Sequence, residues 1–130
     1  WGSPVVHEDT VFTVDVKGRV YALDAASGEE RWHTFLTDQD QPVPVRAGPA
    51  LSEDSSQLFV SAQNGTLYAL TTDDGFVEWS VSAEGRGLSE PVVSDSVVYQ
   101  SLIFGNPRIR ALQVEDGRES WSFPPVTEEG

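Results

Sequence analysis

Short runs of β-branched and aromatic residues, separated by Gly, Asn, Asp and Ser, make up the hydrophobic pattern of this chain. Such runs are typical of β-strands, and no stretch of useful length has the period of an amphipathic helix. In the first third of the chain the pattern predicts strands over residues 3–6, 10–14, 19–23 and 30–35. The same scheme recurs over residues 49–81 and 91–123, so we expect three groups of four short strands.

A fixed spacing of three residue types accompanies these strands: Ala, then Gly six positions later, then Trp four positions after that. The copies are Ala22, Gly28 and Trp32, then Ala69, Gly75 and Trp79, then Ala111, Gly117 and Trp121. From Trp32 to Trp79 is 47 residues, and from Trp79 to Trp121 is 42. Four strands in a unit of this length are typical of one propeller blade. We therefore predict an all-β fold, a single β-propeller segment of three four-stranded antiparallel blades at about residues 3–35, 47–81 and 90–123.

Turns between the second and third strands of each unit differ among the copies. Asn64 and Gly65 favour a type I′ turn, since both tolerate positive φ. In the third unit the second strand is predicted over residues 96–104. The turn that follows it, through Gly105, Asn106 and Pro107, is two residues longer than its counterparts.

Three blades are fewer than the roughly four to eight that close a propeller ring. The sequence contains no Met and begins directly before the first strand of a blade. We therefore expect a segment of a larger propeller, or a sector that is completed by further copies of the chain. No apolar run approaches the ~18 residues of a membrane-spanning helix, so membrane insertion is not expected.

The stretch of residues 18–32 resembles the pyrroloquinoline-quinone-type (PQQ-like) propeller repeat with its tryptophan-docking motif. The resemblance extends from Ser3 to about Phe123. In such a motif the small Ala allows close approach, the Gly passes through a turn that is closed to residues with a Cβ, and the Trp covers the gap to the adjacent blade. Thr71 and Gln113 replace the Asp24 of the first copy, which is expected to loosen the contacts of those turns.

The resemblance implies either of two functions, because the family contains both quinone-dependent dehydrogenases and non-catalytic propellers. The dehydrogenases hold their quinone with a vicinal disulfide, a stacking Trp and a calcium ion. This chain has no Cys, and its three repeated Trp residues are explained as blade staples. Asp38 and Asp40 lack the spacing of a calcium loop, and the two His residues lack a zinc-ligand spacing. We expect no cofactor, no metal and no catalytic residue.

Acidic residues outnumber basic ones by 21 to 8, which gives a formal net charge of −13. Nucleic acid is disfavoured as a partner, because phosphate binding needs a basic stripe. The acids occur as pairs in all three repeats, at Glu29-Glu30, Glu53-Asp54, Asp73-Asp74 and Glu115-Asp116, and again at Glu128-Glu129. This spread favours a general surface adaptation of the kind found in proteins from salt-loving organisms. The alternative is an acidic binding face for a cationic partner.

Loops of irregular length are expected at one face of the blades, where the second-to-third strand turns and the connections between blades emerge. Loops that vary on a rigid scaffold are where binding usually occurs. The alternative is that they are tolerated insertions. The candidate binding face contains Lys17, Asp38, Asp40, Arg46, Asn64, Arg86, Asn106 and Arg108.

These observations predict a non-catalytic binding or scaffolding module of an exported or cell-surface protein. Its expected partners are another protein, further blades of the same propeller, or further copies of the chain. The resemblance implies roles in envelope protein assembly or as sensory ectodomains. The alternative function is a sector of a quinone-dependent dehydrogenase whose cofactor site lies in other blades.

Overall fold

A computed structural model of the chain contains three four-stranded antiparallel sheets and describes residues 3–36, 43–105 and 107–124. Each sheet is a meander in which consecutive strands are neighbours. The first sheet contains β1 (Val5–His7), β2 (Thr10–Val14), β3 (Arg19–Asp24) and β4 (Glu30–Phe35). The second contains β5 (Ala50–Leu51), β6 (Gln57–Ser61), β7 (Leu67–Thr71) and β8 (Val77–Val81). The third contains β9 (Val92–Ser94), β10 (Val97–Ser101), β11 (Ile109–Gln113) and β12 (Glu119–Phe123). The predicted all-β architecture is confirmed.

The middle sheet packs against both of its neighbours. Successive side chains of a strand point to opposite faces, so Tyr68 and Leu70 join a core cluster with the first sheet. Leu67 and Ala69 join a second cluster with the third sheet. Burial of each large apolar side chain contributes about 1.5–3 kcal/mol. We call the two packed regions the first seam, between sheets one and two, and the second seam, between sheets two and three.

Each sheet repeats the same irregularity where its third and fourth strands pair. The register shifts between Ala22 and Leu23, and at the equivalent positions of the other two sheets. Just before the shift, the Ala of each repeat pairs directly with the Trp, as Ala22 does with Trp32. All three Ala residues are fully buried. The small side chain therefore leaves room for the indole beside it.

The turn at Asn64 and Gly65 differs from the predicted type I′ geometry. Gly65 has a φ of +92°, but Asn64 does not have a positive φ. The Gly65 amide donates to the Ala62 carbonyl (3.0 Å), and the Ala62 amide donates to the Thr66 carbonyl (2.9 Å). This is a three-residue loop with only the last residue left-handed. The Asn64 side chain accepts a hydrogen bond from the Thr66 amide instead (3.0 Å).

Strand β10 ends at Ser101, so the predicted strand over residues 96–104 is too long. Phe104 has a φ of +59°, which a strand cannot accommodate. Ile103 forms an isolated bridge with Arg86 in the connection between sheets two and three. The apolar run continues past the strand because these residues pack against, or project from, a loop.

The meanders create two opposite edges of the molecule. The hairpin edge contains the turns between second and third strands and the connections between sheets. The glycine-turn edge contains the remaining turns, including those at Gly28, Gly75 and Gly117. Within the described ranges no helix has the length and apolar character needed to cross a bilayer.

Acidic residues are unevenly divided between these edges, although they are spread through the three repeats. The pairs Glu29-Glu30, Glu53-Asp54, Asp73-Asp74 and Glu115-Asp116 all lie at the glycine-turn edge. Equivalent turns of an antiparallel meander emerge on one side, so a repeated acidic turn produces one acidic edge. Glu128 and Glu129 lie outside the described residues. The even spread of acidic pairs along the sequence therefore does not correspond to an even spread over the described surface.

Candidate functional site

Trp32 connects the first sheet to the glycine turn of the second. Its Nε1 donates to the Thr72 carbonyl (3.0 Å), and Thr34 Oγ1 beside it donates to the Gly75 carbonyl (2.6 Å). Gly75 has a φ of +75°. A Cβ at Gly75 would lie 2.7 Å from Trp32 Cζ3 and 2.5 Å from Thr34 Oγ1. The indole thus occupies the space that only a glycine leaves open.

Trp79 repeats this arrangement at the second seam. Its Nε1 donates to the Val114 carbonyl (3.0 Å), and a Cβ at Gly117 would lie 2.6 Å from its Cε3. Phe12 and Phe59 support the two indoles, with ring centroids 6.1 Å from Trp32 and 6.0 Å from Trp79.

The third copy presents the same features without a neighbour in the described chain. Trp121 lies 5.9 Å from Tyr99 between ring centroids, yet its side chain is 48% exposed. Gly28 has a φ of +77°, and among the described residues nothing lies within 4 Å of a Cβ placed on it. Within the described part of the chain, the first sheet thus has an open glycine turn, and the third has an indole that contacts no glycine turn.

The hairpin edge gathers the described members of the candidate binding face: Lys17, Arg46, Asn64, Arg86 and Arg108. Their loops contact one another in order along the edge. The Val45 amide donates to the Val16 carbonyl (3.3 Å), and the Gln63 amide donates to the Pro44 carbonyl (2.8 Å). Arg46 Nε also donates to Gln63 Oε1 (3.4 Å). Asp38, Asp40 and Asn106 lie outside the described residues.

Close glycine contacts and one short bridge hold the loops at the second-seam end of this edge. A Cβ at Gly65 would lie 3.0 Å from the Gly85 carbonyl oxygen, and one at Gly85 would lie 2.9 Å from Gly105 Cα. The Arg86 amide donates to the Ile103 carbonyl (2.8 Å), and the Ile103 amide donates to the Arg86 carbonyl (2.9 Å). The connection and the long hairpin therefore pack without side chains between them.

Phe104 projects from this packed region. Its side chain is 86% exposed, and the Arg86 guanidinium lies 5.9 Å from its ring centroid. Leu102, Ile103, Phe104, Gly105 and Arg108 line an open cavity of about 360 Å³ beside it. Four exposed cations occupy the described part of this edge, against three acids: Asp15, Glu84 and Glu90.

The glycine-turn edge has the opposite charge. Asp24 accepts hydrogen bonds from Arg31 Nη2 (2.8 Å) and from the Ser27 and Ala26 amides (both 2.9 Å). These contacts, the Arg31 bond first, lower the pKa of Asp24 to about 2. A cleft of about 420 Å³ lies at this edge between sheets one and two, lined by polar side chains that include Asp9, Asp54 and Asp73. Arg31 bonds Asp9 and Asp24, so it is engaged within the first sheet.

The described residues do not fit a quinone or its metal. Within residues 3–36, 43–105 and 107–124, no three His, Asp or Glu side chains are grouped to hold a metal ion. The sequence contains no Cys for a vicinal disulfide. Trp32 and Trp79 are occupied at the seams, and Trp121 lies beside Tyr99.

Sequence reasoning missed two features of the hairpin edge. The sequence pattern predicts Phe104 in a strand, although the longer turn through Gly105 indicates an irregular loop. Arg110 is the second feature. It stands where the first two repeats have Tyr21 and Tyr68, and that break in the repeat was visible in the sequence.

Comparisons with known proteins agree with the geometry. A family model described as "Outer membrane protein assembly factor BamB" matches residues 1–41 and 36–129. The outer membrane protein assembly factor BamB of Yersinia pestis is 33% identical over 124 residues, which covers 92% of this chain and 31% of that protein. The chain thus spans about a third of the length of the curated relatives it matches.

Solved structures show the same fold. BamB from Moraxella catarrhalis has a TM-score of 0.78 at 19% identity, covering 94% of this chain and 35% of that chain. A quinohemoprotein alcohol dehydrogenase from Comamonas testosteroni also has a TM-score of 0.78, at 21% identity, covering 94% of this chain and 20% of that chain. At these identities the two structures establish the propeller fold alone.

Proposed function

Because the chain belongs to the PQQ-like β-propeller repeat family, we propose that it is a non-catalytic binding and scaffolding module of an outer membrane protein assembly factor. The similarity to proteins of that name supports a protein partner. It also supports the extracytoplasmic location that the resemblance implied.

The hairpin edge is the proposed binding surface, and the exposed Phe104 among cations is the observation on which this rests. An aromatic ring on a closely packed loop gains contact area at little cost in conformational entropy. Arg86 and Arg108 beside it favour an acidic partner surface with an apolar recess. The opposite edge, with its excess of acids, would repel the same partner.

The outer faces of the first and third sheets are proposed to pack against further blades of the same propeller or against another copy of the chain. Trp121 presents an indole like those of Trp32 and Trp79, and Gly28 presents a turn like those at Gly75 and Gly117. The indole on the third sheet fits a glycine turn such as the one on the first sheet, whereas two copies of the same face would not fit each other. A head-to-tail arrangement of blades would fill both.

Photo-crosslinking can test the binding surface with a matched pair of exposed phenylalanines. Phe104 lies at the hairpin edge and is 86% exposed, whereas Phe76 lies at the glycine-turn edge and is 66% exposed. We expect a photoreactive residue at position 104 of the full-length protein, expressed in its own host, to form a crosslink to a component of the outer membrane protein assembly machinery. The same residue at position 76 should not.

Charge reversal provides the second arm of this experiment. Arg108→Glu should reduce the position-104 crosslink at least tenfold, while Arg118→Glu at the glycine-turn edge should leave it unchanged. Equal crosslinking from positions 104 and 76, or crosslinks from position 104 only to proteins unrelated to envelope assembly, would refute the proposed surface.

The proposed function also predicts that the chain does not bind pyrroloquinoline quinone, with or without calcium. The described residues offer no metal-ligand group, and the indole that borders the 420 Å³ cleft, Trp32, is held at the first seam by its bond to the Thr72 carbonyl. Calorimetric titration with the quinone measures this, with a quinohemoprotein alcohol dehydrogenase apoprotein as the positive control. Saturable binding at micromolar quinone would favour the dehydrogenase alternative.

A further inference from the structure

Arg110 is a buried cation at the second seam, directly beneath the hairpin edge. Only 3% of the residue is exposed, and the paired Gln100 on β10 is fully buried. Arg110 Nε donates to Gln100 Oε1 (2.7 Å), and its Nη2 donates to the Val81 carbonyl (2.7 Å). Further bonds reach the carbonyls of Ser82 (3.2 Å) and Gly65 (3.4 Å).

These partners are neutral oxygens rather than carboxylates. Within the described part of the chain no acidic oxygen lies within 4 Å of this guanidinium. Burial lowers the pKa of Arg110, and the charge of Glu119 opposes that effect. Burying a charge without an opposite charge costs free energy, and even buried ion pairs can often be replaced by well-packed apolar residues without loss of stability.

The chain itself contains an uncharged replacement. The position of the Gln100–Arg110 pair is taken by Val60 and Tyr68 in the second sheet, in the same register. Val60 and Tyr68 are buried in the core of the first seam. Packing of a seam therefore does not require the polar pair, and its presence at the second seam calls for another explanation.

Two of the three carbonyls that Arg110 binds, those of Gly65 and Ser82, belong to loops of the hairpin edge, and the third, that of Val81, ends β8 directly before the connection. Gly65 lies in the turn of the second sheet, and Ser82 begins the connection that carries Arg86. Arg110 itself lies on β11, which follows the hairpin of Phe104. Gln100 extends the network, since its Nε2 donates to Ser61 Oγ (2.9 Å). A side chain on the strand that follows the Phe104 hairpin thus binds the other two loops that meet at this end of the edge.

We propose that Arg110 is a positioning residue that fixes the loops presenting Arg86 and Phe104 to the partner. The inference rests on the proposed function in taking the hairpin edge as the binding surface. Five donors in a rigid planar fork suit this task, because they hold several carbonyls in fixed relative positions. Lys has three donors on a flexible stem and cannot reproduce that arrangement.

Placing the second-sheet residues Val and Tyr at the equivalent positions of the third sheet distinguishes a role in positioning the loops from a role in stability. In the full-length protein, Gln100→Val combined with Arg110→Tyr should leave the urea unfolding midpoint unchanged or raise it. The Arg86 and Ile103 amides, which form the bridge between connection and hairpin, should exchange with solvent at least tenfold faster. Crosslinking from position 104 should fall at least tenfold. Amides of the first sheet, such as those of Phe12 and Ala22, serve as the internal control.

Arg110→Lys keeps the charge and provides a second test if the double variant fails to fold. We expect its Arg86 and Ile103 amides to exchange severalfold faster relative to those of the first sheet. Unchanged relative exchange in a folded variant would overturn the inference, as would faster exchange at all sheets in proportion to a lost stability. Hydrogen exchange needs no partner. Absence of the wild-type crosslink would therefore refute the proposed binding surface, while the exchange data still decide the role of Arg110.

Discussion

Replacing Trp79 with Ala should lower the free energy of unfolding by roughly 3–5 kcal/mol, the range for truncation of a large aromatic side chain, because this partly buried indole packs against the core cluster of the second seam. The indole packs against Phe59 and covers Gly117, and its Nε1 donates to the Val114 carbonyl. Its removal would leave a cavity at the second seam and take away one of the two donors to the Val114 carbonyl, which also accepts a hydrogen bond from Gln57 Nε2 (2.6 Å). Urea unfolding of the 130-residue chain, followed by far-ultraviolet circular dichroism, measures the change.

Trp121→Ala is the matched control for this change. Trp121 holds the same position in its repeat and contacts Tyr99 in the same way, but it is 48% exposed. We expect a loss of about 1 kcal/mol, typical of a single substitution outside a core. In a dilute, monomeric sample, equal losses for the two variants would show that the contacts of Trp79 across the second seam add no stability.

Gly75→Ala should destabilise the first seam by about 2–5 kcal/mol. A left-handed backbone costs a residue with a Cβ about 1–2 kcal/mol, and overpacking adds about 1–3 kcal/mol. The methyl group would meet the Trp32 ring and Thr34 Oγ1, and both are held by hydrogen bonds to the same turn. Neither group can retreat without breaking one of these bonds.

Gly28→Ala isolates the backbone contribution, because Gly28 has nearly the same φ and no described neighbour within 4 Å of the added methyl. Its expected cost in the 130-residue chain is about 1–2 kcal/mol. A dilute sample is required, since association of chains would bring an indole onto this turn. If Gly28→Ala costs as much as Gly75→Ala in a monomer, steric overlap with Trp32 is not the cause.

The variants of Trp79 and Gly75, with their controls, also bear on function, because they test contacts that hold neighbouring sheets at a fixed spacing. The hairpin edge is built from loops of all three sheets, so its shape depends on how the sheets are spaced. Trp32 and Trp79 hold neighbouring sheets together near the glycine-turn edge. Arg110 holds the second seam together near the hairpin edge. A binding surface that spans several sheets needs both kinds of contact.

The strands, their grouping in fours and the residues that repeat were predictable from the sequence, because strand patterns and turn glycines are local signals. The spacing of Ala, Gly and Trp also predicted a packing motif, since small residues and an indole at fixed separation imply a close contact. Local signals failed where the environment decides the conformation. The apolar run from Ser96 to Phe104 was predicted as a single strand, yet Phe104 leaves the sheet because its loop packs against Gly85.

Only the tertiary structure decided which repeated residues have partners and where the charges lie. Gly28, Gly75 and Gly117 hold equivalent positions in the three repeats. Gly75 and Gly117 each contact the indole of the preceding sheet, but the described residues contain no sheet before the first, so Gly28 contacts no indole among them. The acidic pairs are distributed along the chain, yet antiparallel meanders bring equivalent turns to one edge. Arg110 occupies an aromatic position of the repeat, and its partners come from residues 10 to 45 positions away. Such a network is a property of the seam between sheets, and no local pattern specifies it.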